Sequence, residues 1–406
     1  MARILVASAS FDSAMGGGAV RLAYDLAIGL KGRGHEVTVV CEDPYSQNPE
    51  QEKVNGVTVL RYRLPRLRGL DIWRSKRHIE ATKEILKKYL DYSPDVVHGH
   101  SLFQYIGALR HYRGKVRSCY TIHSPFVDEL RIVWGAHGLT GQLKIIFGLP
   151  IIKRLERECL INSSMLSAES EFTRSRIQFN YGKTYSERIK VIPGWVDMKR
   201  FVSLSIEAVK ATRDKLGWPN NRPILFVLRR LEARMGLENL LHALSLAKKH
   251  GYNPYTIIGG AGSMRESLTK LRDSLGLQGD VVFMGFVPAD QLPLAYGSCD
   301  ASIVPTAQLE CFGIIALEAM ACGKPVLVTP VGALPEVMCD FQTEWISRDA
   351  TPKGIFDIIS AFLDKRLQTL SLLDIRNIIR QKYSYESALL TYEHFLIGQN
   401  RSRNLS

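Results

Sequence analysis

The sequence predicts an α/β protein made of two Rossmann-like domains, each a doubly wound parallel sheet covered by helices. Three observations carry this expectation. The chain has 406 residues, 46% hydrophobic and 23% charged, an ordinary globular balance, whereas single cores stop growing at about 250–300 residues. Its opening reads strand, glycine-rich loop, helix, strand. After a polar stretch in the middle, the same alternation starts again.

Ile4–Ala7 reads as a buried strand, followed by a loop ending in Gly16-Gly17-Gly18. Ala19–Lys31 is a helix, with Val20, Ala23, Leu26, Ala27 and Leu30 on one face. Gly32 and Gly34 close it, and Glu36–Cys41 is the next strand. One β-α-β unit implies parallel pairing and a right-handed crossover. Strands follow at Val57–Arg61, Asp95–His98, Arg117–Ile122, Ser164–Ala168 and Lys190–Ile192. Helices fall at Arg74–Leu90, near Gln104–Arg110, at Gly141–Leu160 with an interruption at Pro150, and from Glu171. The polar stretch Ser203–Arg222 holds one short helix. Beyond it, strands at Pro223–Leu228, Tyr255–Ile258, Val281–Met284, Ala301–Val304 and Val326–Thr329 alternate with helices at Glu238–His250, Met264–Leu275, Gln291–Gly297 and Gly313–Cys322. The domains are expected at 1–197 and 198–383. In 384–406, Tyr385, Ala388, Leu389, Tyr392, Phe395 and Leu396 stand at helical spacing. That terminal helix is expected to dock back on the first domain.

The formal net charge is +13, unevenly placed: residues 1–200 hold 31 Lys and Arg against 20 Asp and Glu, and the remainder 22 against 20. The densest stretch, Arg61 to Arg77, sets Arg63, Arg66, Arg68, Arg74 and Lys76 among Leu64, Leu67, Leu70, Ile72 and Trp73. It reads equally as a contact for an anionic membrane surface and as a solvated loop and helix face. Nucleic acid is not expected as a partner, since no recognition helix or RNP-like motif is present. No apolar run approaches the roughly 20 residues a membrane-spanning helix needs, and Ile4–Ala7 is too short for a signal-peptide core. The seven cysteines form no C-x-x-C and read as reduced thiols. The expected location is cytoplasmic, extending to the inner face of the membrane.

The segment Pro305–Pro330 is the richest in chemistry. Glu310 falls in the loop after a strand, Gly313 near the first turn of a helix, and Glu318 within that helix in an apolar run. A carboxylate there asks for a partner, and sugar hydroxyls are good ones. The first-turn amides from Phe312 to Ile315 offer an anion site. The bland reading is a capping Glu310 and a Glu318 paired to a distant Arg. His98 and His100 share one face of a strand, and no third ligand makes them a metal site. No metal or cofactor is expected.

This segment resembles the Glu-x7-Glu signature of the family 4 retaining glycosyltransferases, which have the GT-B fold, two Rossmann-like domains facing a central cleft. The resemblance extends over nearly the whole chain. It includes Gly16-Gly17-Gly18 with the following L-A-x-x-L-K-G-R-G-H-E-V-T-V-V, Asp95–His100, Thr121-Ile122-His123, Ile192–Asp197, Gly260–Ser263 and Phe283–Phe286. The resemblance implies that Glu318 binds the ribose of a nucleotide-sugar donor and Glu310 the hydroxyls of the transferred sugar. Phe312, Gly313, Ile314 and Ile315 would present amides to the diphosphate. Gly16, Gly17 and Gly18 would close over it, with His123 reaching the sugar. Gly260 lies in a matching glycine turn, and Phe286 and Val287 fall where the base is met. Arg230 matches one cation of the family's G-R-L-x-x-x-K-G motif. The lysine position is Met235 and the first glycine is Arg229, so Arg234, or else Arg229, is expected to supply the second cation. Gly194-Trp195 departs from the usual Asn-Gly.

The resemblance further implies a metal-independent hexosyltransferase acting with retention from a UDP- or GDP-sugar onto an acceptor sugar, a lipid-linked sugar or a small molecule. The enzyme would contribute orientation and charge stabilisation. Two other readings share these residues: a nucleotide-sugar 2-epimerase on the same scaffold, and a catalytically weak nucleotide-sugar-binding protein, which Met235 keeps open. An oxidoreductase fits poorly, because the glycines do not follow G-x-G-x-x-G.

Overall fold

The computed structural model describes residues 1–12, 17–45, 47–65, 71–136 and 138–398, the side chains of residues 71–73 excepted. The chain divides into two compact units. The first is Met1–Pro193 with the described part of Ala388–Ser406, and the second is Gly194–Ser387.

The first unit is built on eight strands: β1 (Arg3–Ala7), β2 (Glu36–Glu42), β3 (Gln51–Val54), β4 (Val57–Tyr62), β5 (Val96–Gly99), β6 (Arg117–Ile122), β7 (Met165–Ala168) and β8 (Ile189–Val191). Their order is β3-β4-β2-β1-β5-β6-β7-β8. All pairs are parallel except β3 with β4, an antiparallel edge hairpin that alternation alone did not reveal. β3 is polar and half exposed, which blunts the sheet edge. β1 and β5 are almost wholly buried because helices cover both faces of a parallel sheet. Its helices are α1 (Gly18–Gly32), α2 (Asp71–Tyr89), α3 (Leu102–Tyr112), α4 (Phe126–Gly135), α5 (Gly138–Asn162), α6 (Glu171–Tyr181) and α7 (Lys183–Ser186). α5 runs straight through Pro150, contrary to the expected interruption. Gly148, Leu149 and Ile152 around it are buried, and that packing holds the turn where a backbone donor is missing.

The second unit begins with α8 (Ile206–Leu216). Its five strands are β9 (Ile224–Leu228), β10 (Tyr255–Gly259), β11 (Val281–Gly285), β12 (Ala301–Val304) and β13 (Val326–Val328), in the all-parallel order β11-β10-β9-β12-β13. α9 (Leu237–Lys249), α10 (Arg265–Ser274), α11 (Leu292–Ser298), α12 (Ile314–Ala321), α13 (Leu334–Met338), α14 (Pro352–Leu363) and α15 (Leu372–Ile378) surround it. The last helix, α16 (Tyr385–Ile397), carries Tyr392, Glu393 and Phe395 into the first unit. There Glu393 accepts from Arg33 and pairs with His35 at 2.9 Å, and Lys190 lies 5.1 Å over the Phe395 ring.

No helix among the described residues is long and apolar enough to cross a membrane. Of the seven cysteines, all free, Cys339 alone is exposed.

In a doubly wound sheet ligands gather where the strand order reverses, outside the carboxyl ends of the strands. That point lies between β1 and β5 in the first unit and between β9 and β12 in the second.

Candidate functional site

In the second unit, the loops after β9 and β12 meet at the reversal. Arg229 follows β9 directly and is buried, its side chain 8% exposed. Its Nη2 donates to both Thr306 Oγ1 and a carboxylate oxygen of Glu310. Thr306 Oγ1 in turn donates to Glu310 Oε2 at 3.1 Å, and Thr329 Oγ1 donates to the Thr306 carbonyl at 2.6 Å. A buried charge must be paired, and the pair here is Arg229 with Glu310. Neither Arg229 nor Thr306 was singled out from sequence as a partner of Glu310. The signal was present, since a cation stands where the motif has glycine.

Arg230, one residue on, is exposed; among the described residues it has no ion-pair partner. Arg234 donates to the Leu309 carbonyl at 2.8 Å, and its own carbonyl accepts from the amides of Ala307 and Gln308. Arg234 thereby stitches the two loops together. Met235 is buried in the core with Leu237, Leu240 and Leu241, so that position points inward and not toward the loops. Leu309 adopts φ 51°, a strained conformation for a branched residue, immediately before Glu310. The Glu310 carbonyl accepts from the Ala333 amide at 2.8 Å.

Gly313 caps α12 with φ 94°, a left-handed geometry that favours glycine. Ile314 and Ile315 therefore open a first turn whose amides have no intrahelical acceptor, with Gly313 as its cap and Phe312 just before it. Glu318, in the second turn of α12, is half-buried beside Tyr296, whose hydroxyl is pushed well up by burial and then by that carboxylate. Gly260, at φ 129°, brings the loop after β10 so close to Arg229 that a Cβ would lie 1.8 Å from the Arg229 carbonyl oxygen. Beside it, Phe286 is exposed and Val287 buried. The Gly194 departure has a steric reason: a Cβ would stand 2.7 Å from the Phe312 ring. Trp195 is buried, 6.4 Å from the Tyr385 ring.

In the first unit, Gly16 lies outside the described residues. Gly17 is the N-cap of α1, and Gly18 its first residue, with no acidic residue in the first turn. Ala19 and Val20 line a cavity of about 330 Å³ together with Ser8, Glu42, His100 and His123. Behind it runs a chain of hydrogen bonds. Ser167 Oγ lies 2.7 Å from Thr121 Oγ1, which lies 2.7 Å from His98 Nε2. His98 Nδ1 is 3.3 Å from His100 Nε2, and His100 Nδ1 is 2.9 Å from His123 Nε2. His123 Nδ1 closes on Glu169. As a carboxylate Glu169 only accepts, so His123 donates from Nδ1. A neutral His123 then accepts at Nε2 from His100, which accepts from His98, which accepts from Thr121. Burial drives the His98 pKa down to about 3 and that of His100 well below its ordinary value, so both stay neutral. Glu169 was missed in the sequence. The register explains its place: Ile122 pairs with Ala168, which sets His123 and Glu169 side by side at two strand ends. Among the described residues no group of His, Cys, Asp or Glu is arranged to hold a metal ion.

Comparison with known proteins assigns both halves. Residues 16–200 match Glycosyltransferase Family 4, and residues 209–381 match Glycosyl transferases group 1. An uncharacterized glycosyltransferase of Methanocaldococcus jannaschii is 30% identical over 373 residues, 89% of this chain and 89% of its own. A GDP-mannose-dependent alpha-(1-6)-phosphatidylinositol monomannoside mannosyltransferase of Mycolicibacterium smegmatis is 30% identical over 219 residues, 52% of this chain and 56% of its own. Among solved structures, sucrose-phosphate synthase from Thermosynechococcus elongatus has a TM-score of 0.81 at 18% identity, over 98% of this chain and 99% of its own. That likeness concerns the fold. With both halves matched and a relative aligned along most of its length, the chain belongs to the group 1, family 4 glycosyltransferases of GT-B fold, which draw on nucleotide-sugar donors.

Proposed function

We propose that the chain is a retaining hexosyltransferase that moves a sugar from a UDP- or GDP-sugar to an acceptor hydroxyl, and that the second unit holds the donor. The observation that carries this reading is the exposed Arg230 beside the buried Arg229–Thr306–Glu310 knot and the open first turn of α12. Cations and free amides at one strand-order reversal suit a diphosphate. Glu318 meets the ribose hydroxyls and Glu310 the sugar hydroxyls. Phe312, Gly313, Ile314 and Ile315 offer amides to the diphosphate, and the base lies by Phe286 and Val287, against the Gly260 turn. Glu310 is held in place by Arg229 before any ligand arrives, so its orientation is fixed in advance.

The acceptor hydroxyl forms its bond to the anomeric carbon as the bond to the diphosphate oxygen breaks, on the same face. A phosphate oxygen takes the hydroxyl proton. Arg230 and Arg229 meet the charge that grows on the leaving diphosphate, in place of a metal. Arg234 orders the loop through Leu309 and assists them from one turn away. Of the first unit's residues, His123 is assigned to the sugar and Gly17 and Gly18 to the diphosphate, with Gly16 outside the described residues. At Gly17 neither backbone angle nor packing demands glycine: φ is −68° and a Cβ would meet nothing within 4 Å. A ligand supplies the reason that the fold does not.

The name of the mycobacterial relative favours a GDP-sugar and a lipid-borne acceptor hydroxyl. Thermal-shift binding with UDP, GDP and ADP tests the reading. A rise in Tm with GDP or UDP that disappears in Glu318→Ala supports it; no rise with any nucleotide contradicts it.

A further inference from the structure

Helix α5 presents an apolar face that nothing in its own unit covers. Leu139, Leu143, Ile146 and Phe147 fall at i, i+4, i+7 and i+8, one side of a helix that turns about 100° per residue. Leu139 is 86% and Phe147 67% exposed, with Leu143, Ile146 and the neighbouring Ile151 exposed as well. The opposite side, with Gly141, Gly148, Leu149 and Ile152, is buried. Single exposed apolar side chains are ordinary, whereas a contiguous set marks a contact surface.

Charge identifies the contact. The same outward side continues at i+15 and i+18 with Arg154 and Arg157, flanked by the exposed Lys153. Lys153 and Arg157 lean on Tyr181 and Tyr185 and keep their charge at the rim. From Gly138 to Leu155 the helix has no acidic residue. The next two carboxylates are turned away: Glu156 is buried against the start of α4, and Glu158 pairs with Arg110 at 2.8 Å. An apolar wedge rimmed by cations, without a carboxylate among them, matches a surface that is apolar inside and anionic outside.

We propose that this face of α5 docks the protein on an anionic phospholipid surface. The apolar side chains enter the boundary of the acyl chains while Lys153, Arg154 and Arg157 meet lipid phosphates. The site is separate from the Arg61–Arg77 stretch, part of which lies outside the described residues, and it does not rest on the donor chemistry proposed above.

Co-sedimentation of the full chain with phosphatidylcholine vesicles, with and without phosphatidylglycerol, tests it. Binding is expected only with the anionic lipid. Leu143→Glu with Phe147→Glu should weaken it by about tenfold or more. Lys153→Gln, Arg154→Gln and Arg157→Gln together should weaken it by about fivefold for each charge. A melting temperature unchanged from the wild type in both variants shows that the fold survives. Equal binding to neutral vesicles, no binding to anionic ones, or full binding by the Leu143/Phe147 variant overturns the proposal. So does a dimer in light scattering that this variant dissolves, which would make a second copy the occupant.

Discussion

Beside the strand-order reversal of the first unit, three imidazoles pass hydrogen bonds from Ser167 to Glu169 with no guanidinium among them. At the reversal of the second, Arg229 and Arg234 bind the loop around Glu310, and Arg230 stands exposed next in the chain. One topology thus supports two kinds of polar apparatus. The first keeps the buried imidazoles of His98 and His100 neutral, which suits hydroxyls, because neutral donors and acceptors bind neutral groups without a large desolvation cost. The second pairs Arg229 with Glu310 and leaves Arg230 exposed, which suits a ligand that is itself an anion.

The contrast breaks first at Arg230. Exposed and without an ion-pair partner among the described residues, it should matter to turnover and little to folding. Arg230→Ala should lower sugar transfer from the donor about 10²–10³-fold while shifting stability by no more than about 0.5 kcal/mol, read by a transfer assay and urea unfolding. Its neighbour Arg229, paired with Glu310, should matter to folding as well. Arg229→Met leaves the half-buried Glu310 without its cation and should cost about 3 kcal/mol in urea. Adding Glu310→Gln should restore part of that loss.

In the first unit, the neutral character extends to a carboxyl. Glu156 is fully buried, accepting from the amide of Phe126 at 2.7 Å and from Tyr181 Oη at 2.5 Å. Burial pushes its pKa up to about 7 from 4.5. The folded state therefore holds a proton that the unfolded chain releases near 4.5. Its contribution to stability is full below that pH and is lost as pH rises through about 7, a change of about 3 kcal/mol. Unfolding across this range should show the decline in the wild type and a flatter profile in Glu156→Gln. The smallest effect is expected at His98. His98→Gln interrupts one link between Thr121 and His100 and should cost about 1–2 kcal/mol, measured in the same way.

Much of this was legible in the sequence because periodicity and glycine punctuation fixed β1, α1 and β2 and placed the Glu310–Glu318 segment on a loop and helix. What was not legible depends on tertiary partners. Pro150 breaks helices in isolation, yet the buried residues around it keep α5 whole. α4 was overlooked because its N-terminus is held by Glu156, thirty residues on in the chain. The Arg229–Glu310 pair joins loops from adjacent strands, and Glu169 meets His123 only through the β6–β7 register. Met235 looked like a lost cation, whereas its side chain belongs to the core under β9. The outward face of α5 escaped notice because its apolar residues read as core until their exposure is known.

The central claim is that the nucleoside diphosphate is held by the charged loops of the second unit and not by the neutral chain of the first. Calorimetric titration of GDP into the wild type, Arg230→Ala and His123→Ala tests it most directly. At least a tenfold loss of affinity, about that of one charge-assisted hydrogen bond, is expected for Arg230→Ala and none for His123→Ala. Equal affinity in Arg230→Ala, or an equal loss in both variants, would contradict it.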